Sequence, residues 1–288
     1  MPLKFSHSEF PVSDAQTLIR LALNEDIGPG DFTSLWTIPA TQKQKATLIA
    51  KEPGIVAGLP IVEQVFQILN TGVEIENFCQ DGDSVDVGDE IASIFGHTQA
   101  LLTGERVILN FLQQLSGVAS VTAQYVKALG SAKTKVLDTR KTLPGFRRLQ
   151  KYAVRAGGGY NHRMGLHDMI LIKDNHIKAS GGVLEALASV RAQNKADLKV
   201  EIEVENLGDL QLLLGKGVDV IMLDNMDNET MAEAVKMVRK SGDSVKLEAS
   251  GNMDLERLQT LGTLGLDFVS VGALTHSVKA LDISMRIV

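Results

Sequence analysis

From residue 134 onward, short apolar runs alternate with longer stretches in which apolar positions recur every three or four residues. The runs are "TKVLDTR" (134–140), "MILIKDN" (169–175), "KVEIEVEN" (199–206), "VDVIMLDN" (218–225), "VKLEASG" (245–251) and "DFVSVGA" (267–273). Between them lie "TLPGFRRLQKYAVRAG", "GVLEALASVRAQ", "LGDLQLLLGKG", "DNETMAEAVKMVRK" and "MDLERLQTLGTLG". Their spacing is that of amphipathic helices, and several end in Gly, a usual helix stop. The repeating β-α order predicts parallel strands covered by helices.

Each predicted strand finishes in polar residues or glycine: Asp138-Thr139-Arg140, Lys173-Asp174-Asn175, Glu203 and Glu205, Asp224-Asn225, Ser250-Gly251 and Gly272-Ala273. In a (β/α) barrel the C-terminal strand ends share one face, and that face holds the site. An open doubly wound sheet would concentrate chemistry at one crevice instead. With candidate chemistry on all six ends, the pattern favours a barrel, irregular or short of eight strands.

The first hundred residues read differently. "QKATLIAKEPGIVAGL" has strand character, "PIVEQVFQIL" is helical, and "GVEIENFCQDGDSVDVGDEIASIFGH" is strand-like with Gly turns. The stretch "DGDSVDVGDE" is similar to small β-modules that carry biotin or lipoate, but it lacks their central lysine, so it reads as scaffold. Residues 101–130 read as two helices linking the halves. The predicted organisation is an N-terminal α/β sandwich domain over 1–115 and an irregular (β/α) barrel over 116–275. The end, "HSVKALDISMRIV" (276–288), is expected to pack back on the first domain.

Composition narrows the class. At 288 residues, one large domain or two are expected. No apolar run approaches the ~20 residues of a membrane helix, and the N-terminus shows no charged-then-apolar leader. Cys79 is the only cysteine, which fits a reducing cytoplasm. The net charge of -6 and pI near 5.6 argue against a nucleic-acid partner.

Against that acidic background, residues 138–176 gather Arg140, Lys141, Arg147, Arg148, Lys151, Arg155, Arg163 and Lys173, with His162, His167 and His176. A local cationic cluster on an acidic chain suggests a small, multiply anionic ligand. Arg140, Arg163 and Lys173, beside His162, supply guanidinium forks and a point charge for carboxylate or phosphate. Glu203 and Asp224 end consecutive strands and suit Mg²⁺ shared with substrate phosphates. Glu201 and Glu205 share the strand face with Glu203, so the choice among them stays open. "EASGN" (248–252) and "SVGALTHS" (270–277) fall on the last two strand–loop units, where barrels often hold phosphate through backbone N–H groups. Gly251 and Gly272 suit that role, with Ser250 as a hydroxyl donor. A zinc hydrolase using His162, His167 and His176 is the rival from another class, but their spacing does not suit one helical face.

The segment "DTRKTLPGFRRLQKYAVRAGGGYNHRMGLHDMILIKDNH" resembles the signature of the quinolinate phosphoribosyltransferase family, the decarboxylating nicotinate-nucleotide pyrophosphorylases. "EDIGPGDFTS", "GERVILNFLQQLSGVAS", "EIEVEN", "IMLDNM", "LEASGN" and "VSVGALTHS" match in the same order, so the resemblance spans nearly the whole chain. It implies transfer of phosphoribose from phosphoribosyl pyrophosphate to quinolinate with loss of CO₂, in de novo NAD biosynthesis, with Mg²⁺ as cofactor. A relative acting on nicotinate is the alternative. The resemblance also implies a homodimer, or a hexamer assembled from dimers, in which Arg106 enters the neighbouring subunit's site. Thr139, Arg140, His162, Arg163 and Lys173 would complete the quinolinate pocket. Lys141 and Lys173 resemble the phosphate-binding lysines, and Glu203 and Asp224 the acidic pair near ribose and metal. Ser250, Gly251, Asn252, Val271, Gly272 and Ala273 fall at the 5-phosphate loops, with His276 close by. Many family members have Gly where this chain has Asn252.

Overall fold

The computed structural model describes residues 10–130 and 133–288. The expectation about a leader therefore lies partly outside the described residues. No described helix is long and apolar enough to cross a membrane. In chain order the first elements are α1 (Val12–Ile27), α2 (Phe32–Thr37), β1 (Lys43–Ala50), β2 (Gly54–Ile55), α3 (Pro60–Ile68), β3 (Val73–Asn77), β4 (Ser84–Val85), β5 (Glu90–His97) and α4 (Thr98–Leu129). Then come β6 (Lys135–Leu137), α5 (Arg147–Ala156), β7 (Ile170–Ile172), α6 (Asp174–Ser180), α7 (Val183–Gln193), β8 (Val200–Val204), α8 (Leu207–Leu213) and β9 (Val220–Asp224). The last are α9 (Asn228–Ser241), β10 (Lys246–Ser250), α10 (Leu255–Leu261), β11 (Phe268–Ser270), α11 (Ala273–His276) and β12 (Ile283–Ile287).

These elements form two compact units. One comprises the described residues up to Ala123 together with Thr142–Gly158 and Leu274–Val288; the other comprises Gln124–Lys141 and Gly159–Ala273.

The first unit is built on a four-stranded antiparallel sheet of order β12-β1-β5-β3. Alternation on β1 buries Ala46, Leu48 and Ala50, and β5 contributes Ala92 and Ile94, the partners of Leu48 and Ala46, to the same core. Ala15, Ile19 and Leu23 recur at four-residue spacing on α1 and form its buried face. The glycine-spaced turns behave as scaffold: Asp83 accepts from Gln80 N–H (2.8 Å) and Asp89 from Asp86 N–H (2.8 Å). The two helices expected over 101–130 are one continuous helix, α4, of 32 residues. The helix runs through Gly117 without a break. A Cβ there would stand 2.3 Å from the Lys279 carbonyl oxygen, so this glycine permits close approach of the C-terminal strap.

The second unit contains the six expected strands in one parallel sheet of order β6-β11-β10-β9-β8-β7. Among the described residues no ladder joins the outermost strands, β6 and β7, so the barrel is irregular and not closed by hydrogen bonds; a single parallel bridge, Leu137 to Tyr160, extends the β6 side. Asn206, Asp227 and Asp254 cap α8, α9 and α10 by accepting the backbone N–H of Asp209, Thr230 and Arg257. Short capped turns follow the strand ends, so residues after β8, β9 and β10 are held close to the sheet.

Candidate active site

Register sets the acidic pair. Ser250 on β10 is the partner of Asp224 on β9, and Glu203 on β8 lies beside Met222 of β9. Of the three glutamates left open by alternation, Glu205 is exposed, Glu201 is fully buried, and Glu203 is nearly so. Glu203 Oε2 lies 3.4 Å from Lys173 Nζ, the residue that follows β7. Burial raises the Glu203 carboxyl above its ordinary range; Lys173 opposes this and the negative charge of Asp224 adds to it. Two carboxylates repelling one another beside a lysine make an oxygen-rich, negatively polarised corner of the kind a hard divalent cation occupies.

The cations come from two neighbouring loops. Arg140 and Lys141 follow β6, where Thr139 Oγ1 accepts the Lys141 N–H at 3.0 Å. Arg163 sits in the glycine-rich loop before β7, buried, with Nη1 donating to Met169 O at 3.0 Å. Burial lowers the Arg163 pKa from its ordinary value, and the Arg140 charge lowers it further. Its Nε finds no hydrogen-bond partner among the described residues. Glu201 and Asp168 oppose the pKa shift; even so, a buried guanidinium with an unmet donor beside a second guanidinium suits an anion. Asp168 closes the loop by accepting the N–H groups of Met164 and Gly165 (2.6 and 2.9 Å).

Beneath this face lies a buried polar layer that the sequence named only in part: it put forward His162 and Glu201 but not Glu248 or Ser270. His162 N–H donates to Asp138 Oδ1 (2.9 Å), and its Nδ1 accepts the Arg163 N–H (2.7 Å). The neutral ring then carries its proton on Nε2, which lies 3.0 Å from Glu201 Oε2 and 3.7 Å from Glu248 Oε1. Ser270 Oγ donates to Glu248 Oε1 at 2.5 Å. Burial pushes the Glu248 carboxyl up to about 8, the charge of Glu201 adds to the shift, and His162 opposes it. Burial also pushes Glu201 up to about 8, against the pull of Arg163 and Lys173. Acidic residues inside otherwise apolar strands, as in "VEIEV" and "KLEAS", were the available signal for this layer.

Among the described residues, His162, Glu201 and Glu248 form the one group of three or more such side chains whose ligand atoms lie close enough to share a metal ion; Glu203 and Asp224, a pair of carboxylates, and His167 and His176 are not part of it. His176 Nδ1 instead accepts the Lys173 N–H at 2.9 Å. The three-histidine zinc arrangement is therefore not assembled.

The remaining expected residues divide between the units. Ser250, Gly251 and Asn252 follow β10, and Val271, Gly272 and Ala273 follow β11. Gly251 (φ +93) and Asn252 (φ +47) adopt left-handed backbone, and Val271 N–H donates to Leu137 O at 2.9 Å. Arg106 is exposed on α4, and His276 is exposed at the end of α11; both belong to the first unit. Sequence reasoning listed Asn225 only as a strand end and missed Arg257; together they bridge the loops after β9 and β10.

Comparison with known proteins identifies the setting. Residues 31–116 match the family described as quinolinate phosphoribosyl transferase, N-terminal domain, and residues 118–286 its C-terminal domain. A probable nicotinate-nucleotide pyrophosphorylase (carboxylating) of Bacillus subtilis is 45% identical over 263 residues, 91% of this chain and 90% of the relative. A mitochondrial quinolinate phosphoribosyltransferase (decarboxylating) of Nicotiana tabacum is 41% identical over 296 residues, covering 96% and 83% of the two chains. The crystal structure of NadC from Streptococcus pyogenes superimposes with a TM-score of 0.91 at 43% identity, covering 95% of this chain and 96% of that one.

Proposed function

The chain belongs to the quinolinate phosphoribosyl transferase family, and from that premise we propose how its barrel face carries the family's reaction. The enzyme is a phosphoribosyltransferase. It joins quinolinate to phosphoribosyl pyrophosphate and releases pyrophosphate and CO₂, leaving nicotinate mononucleotide for NAD synthesis. The observation that carries the reading is the cationic corner: Arg163 buried with an unmet donor beside Arg140, and Lys173 paired with Glu203.

Quinolinate is a pyridine with carboxylates at carbons 2 and 3. We assign its two charges to Arg140, Arg163 and Lys173, with Thr139 at the pocket edge. His162 takes part through its bond to the Arg163 backbone. The 5-phosphate is assigned to the backbone N–H groups of Ser250–Asn252 and Val271–Ala273, with His276 following in the chain. Lys141 and Lys173 face the pyrophosphate. Glu203 and Asp224 offer the oxygen ligands for Mg²⁺, which when bound offsets charge on the leaving pyrophosphate. As the C1–O bond breaks, ribose carbon 1 becomes oxocarbenium-like. Glu203 and Asp224 favour that developing positive charge. The ring nitrogen attacks carbon 1 and becomes a pyridinium. The bond from ring carbon 2 to its carboxylate then breaks; CO₂ leaves, the electron pair stays on carbon 2 beside the cationic nitrogen, and a proton takes its place. The substrate is its own electron sink.

The subunit arrangement is also a proposal. Arg106 is exposed, and we place it in the site of a second copy within a homodimer, or within dimers assembled as a hexamer. A cytoplasmic location accords with the single cysteine. The test is a coupled assay with quinolinate, phosphoribosyl pyrophosphate and Mg²⁺ that follows CO₂ and pyrophosphate release. Stoichiometric release of both, with no turnover of nicotinate, is expected; equal turnover of nicotinate would overturn the assignment.

A further inference from the structure

The loops after β9 and β10 are tied together by contacts that the reaction scheme does not use. Asn225 N–H donates to Ser250 O at 3.1 Å, and Asn225 Nδ2 donates to Asp224 Oδ2 at 2.8 Å. The fit is close: a Cβ on Gly251 would stand 2.1 Å from Asn225 Oδ1 and 2.6 Å from its Cγ. Asn225 (φ +54), Gly251 (φ +93) and Asn252 (φ +47) are all left-handed, so both turns hold conformations that most side chains resist. From the first turn of α10, the half-buried Arg257 reaches across both loops. Its Nη1 donates to Gly251 O at 2.9 Å and its Nη2 to Met226 O at 2.6 Å.

We propose that Arg257 and Asn225 are positioning residues that join the Ser250–Asn252 turn to Asp224, so that the phosphate-binding N–H groups and the carboxylate at the ribose are set as one piece. A planar guanidinium suits this task. Its N–H groups diverge at fixed angles and hold two carbonyls from different loops at a fixed separation, which a single ammonium cannot do. Each bond is charge-assisted, and the order it imposes is present before substrate arrives. The inference predicts a selective effect, because the quinolinate cations stand elsewhere: Arg140 after β6, Arg163 before β7 and Lys173 after it. Loosening the joint reaches the ribose phosphate and leaves the pyridine pocket alone.

The inference rests on the proposed reading of the Ser250–Asn252 turn as the 5-phosphate loop. Its test compares Arg257→Gln, Arg257→Lys and Asn225→Ala in the full-length protein. The readouts are steady-state kinetics with each substrate varied and calorimetric titration with ribose 5-phosphate in the absence of metal. For Arg257→Gln, the KM for phosphoribosyl pyrophosphate and the Kd for ribose 5-phosphate should each rise about tenfold, while the KM for quinolinate stays within about twofold. Arg257→Lys should fall between wild type and Arg257→Gln. Asn225→Ala should also lower kcat, because Asp224 loses its amide partner. A merely structural lesion reduces the active fraction, which lowers apparent kcat and leaves both KM values alone. Should Arg257→Gln fail to fold, the other two variants carry the same comparison. Unchanged ribose-phosphate affinity, or an equal rise in both KM values, in an otherwise active enzyme overturns the inference alone. A wild-type protein that turns over neither substrate removes the functional reading, and the inference with it.

Discussion

Glu203 and Lys173 stand 3.4 Å apart with the lysine half exposed and the glutamate buried, so the ion pair is one-sided. Removing the lysine leaves a buried carboxylate next to Asp224, while removing the carboxylate frees the lysine. Lys173→Ala and Glu203→Gln should each lower kcat by about 10²–10³-fold, by loss of charge stabilisation in the transition state; steady-state kinetics on folded protein checks this. Alternation along β8 placed Glu201 and Glu203 on one face but said nothing of depth, because a two-residue period fixes direction only. Depth came from the fold, which gives Glu201 to the buried layer with His162 and Glu203 to the lysine. The same layer makes a stability prediction. Glu248, facing Glu201, His162 and Asp138, is pushed from 4.5 up to about 8. The folded state therefore holds its proton at a pH where the unfolded chain has released it. Stability from this group is full below about 4.5 and is lost as pH rises through about 8. Glu248→Gln keeps the shape and removes the titration, so its Tm should fall less between acid and alkaline pH than the wild-type Tm; parallel curves would count against a protonated Glu248.

At the scale of elements, the strands of the barrel were legible because each combines a short apolar run with a polar or glycine end. The long helix α4 was not. Gly117 carries two meanings in a sequence, stop or close approach, and only the Lys279 carbonyl 2.3 Å from its missing Cβ decides between them. Gly117→Ala should therefore cost about 1–3 kcal/mol through forced displacement of the strap, read as a lowered Tm or denaturant midpoint with kcat preserved in the folded fraction. An unchanged midpoint would mean that the strap yields freely. Helix α5 shows a related limit. Its periodicity announces a helix between two barrel strands, yet its residues belong to the first unit, a membership no local pattern encodes. The bridging role of Asn225, and Arg257 altogether, were invisible for a third reason: their partners are backbone carbonyls and a neighbouring carboxylate in irregular turns, where spacing has no period to read.

For the whole molecule, a net charge of -6 coexists with a cationic barrel mouth, and the two features serve different ends. The surface charge keeps the protein apart from polyanions at large, while the local cations are the ones we assign to one small dianion and a polyphosphate. The subunit proposal is testable by complementation. Arg106→Ala and Lys173→Ala should each be inactive alone. Refolded as a mixture, they should recover about a quarter of wild-type activity, since half of the random dimers hold one intact site of two; no recovery would place Arg106 outside the neighbouring site. Arg140, Arg163 and Lys173 are proposed to recognise both charges of a pyridine dicarboxylate. Calorimetric titration of wild-type protein and Arg140→Ala with quinolinate and nicotinate measures that recognition directly. Quinolinate should bind wild type and not Arg140→Ala, with nicotinate about 10²-fold weaker for want of one charge-assisted contact. Equal affinity for the two pyridines, or quinolinate binding that survives in Arg140→Ala, would contradict it.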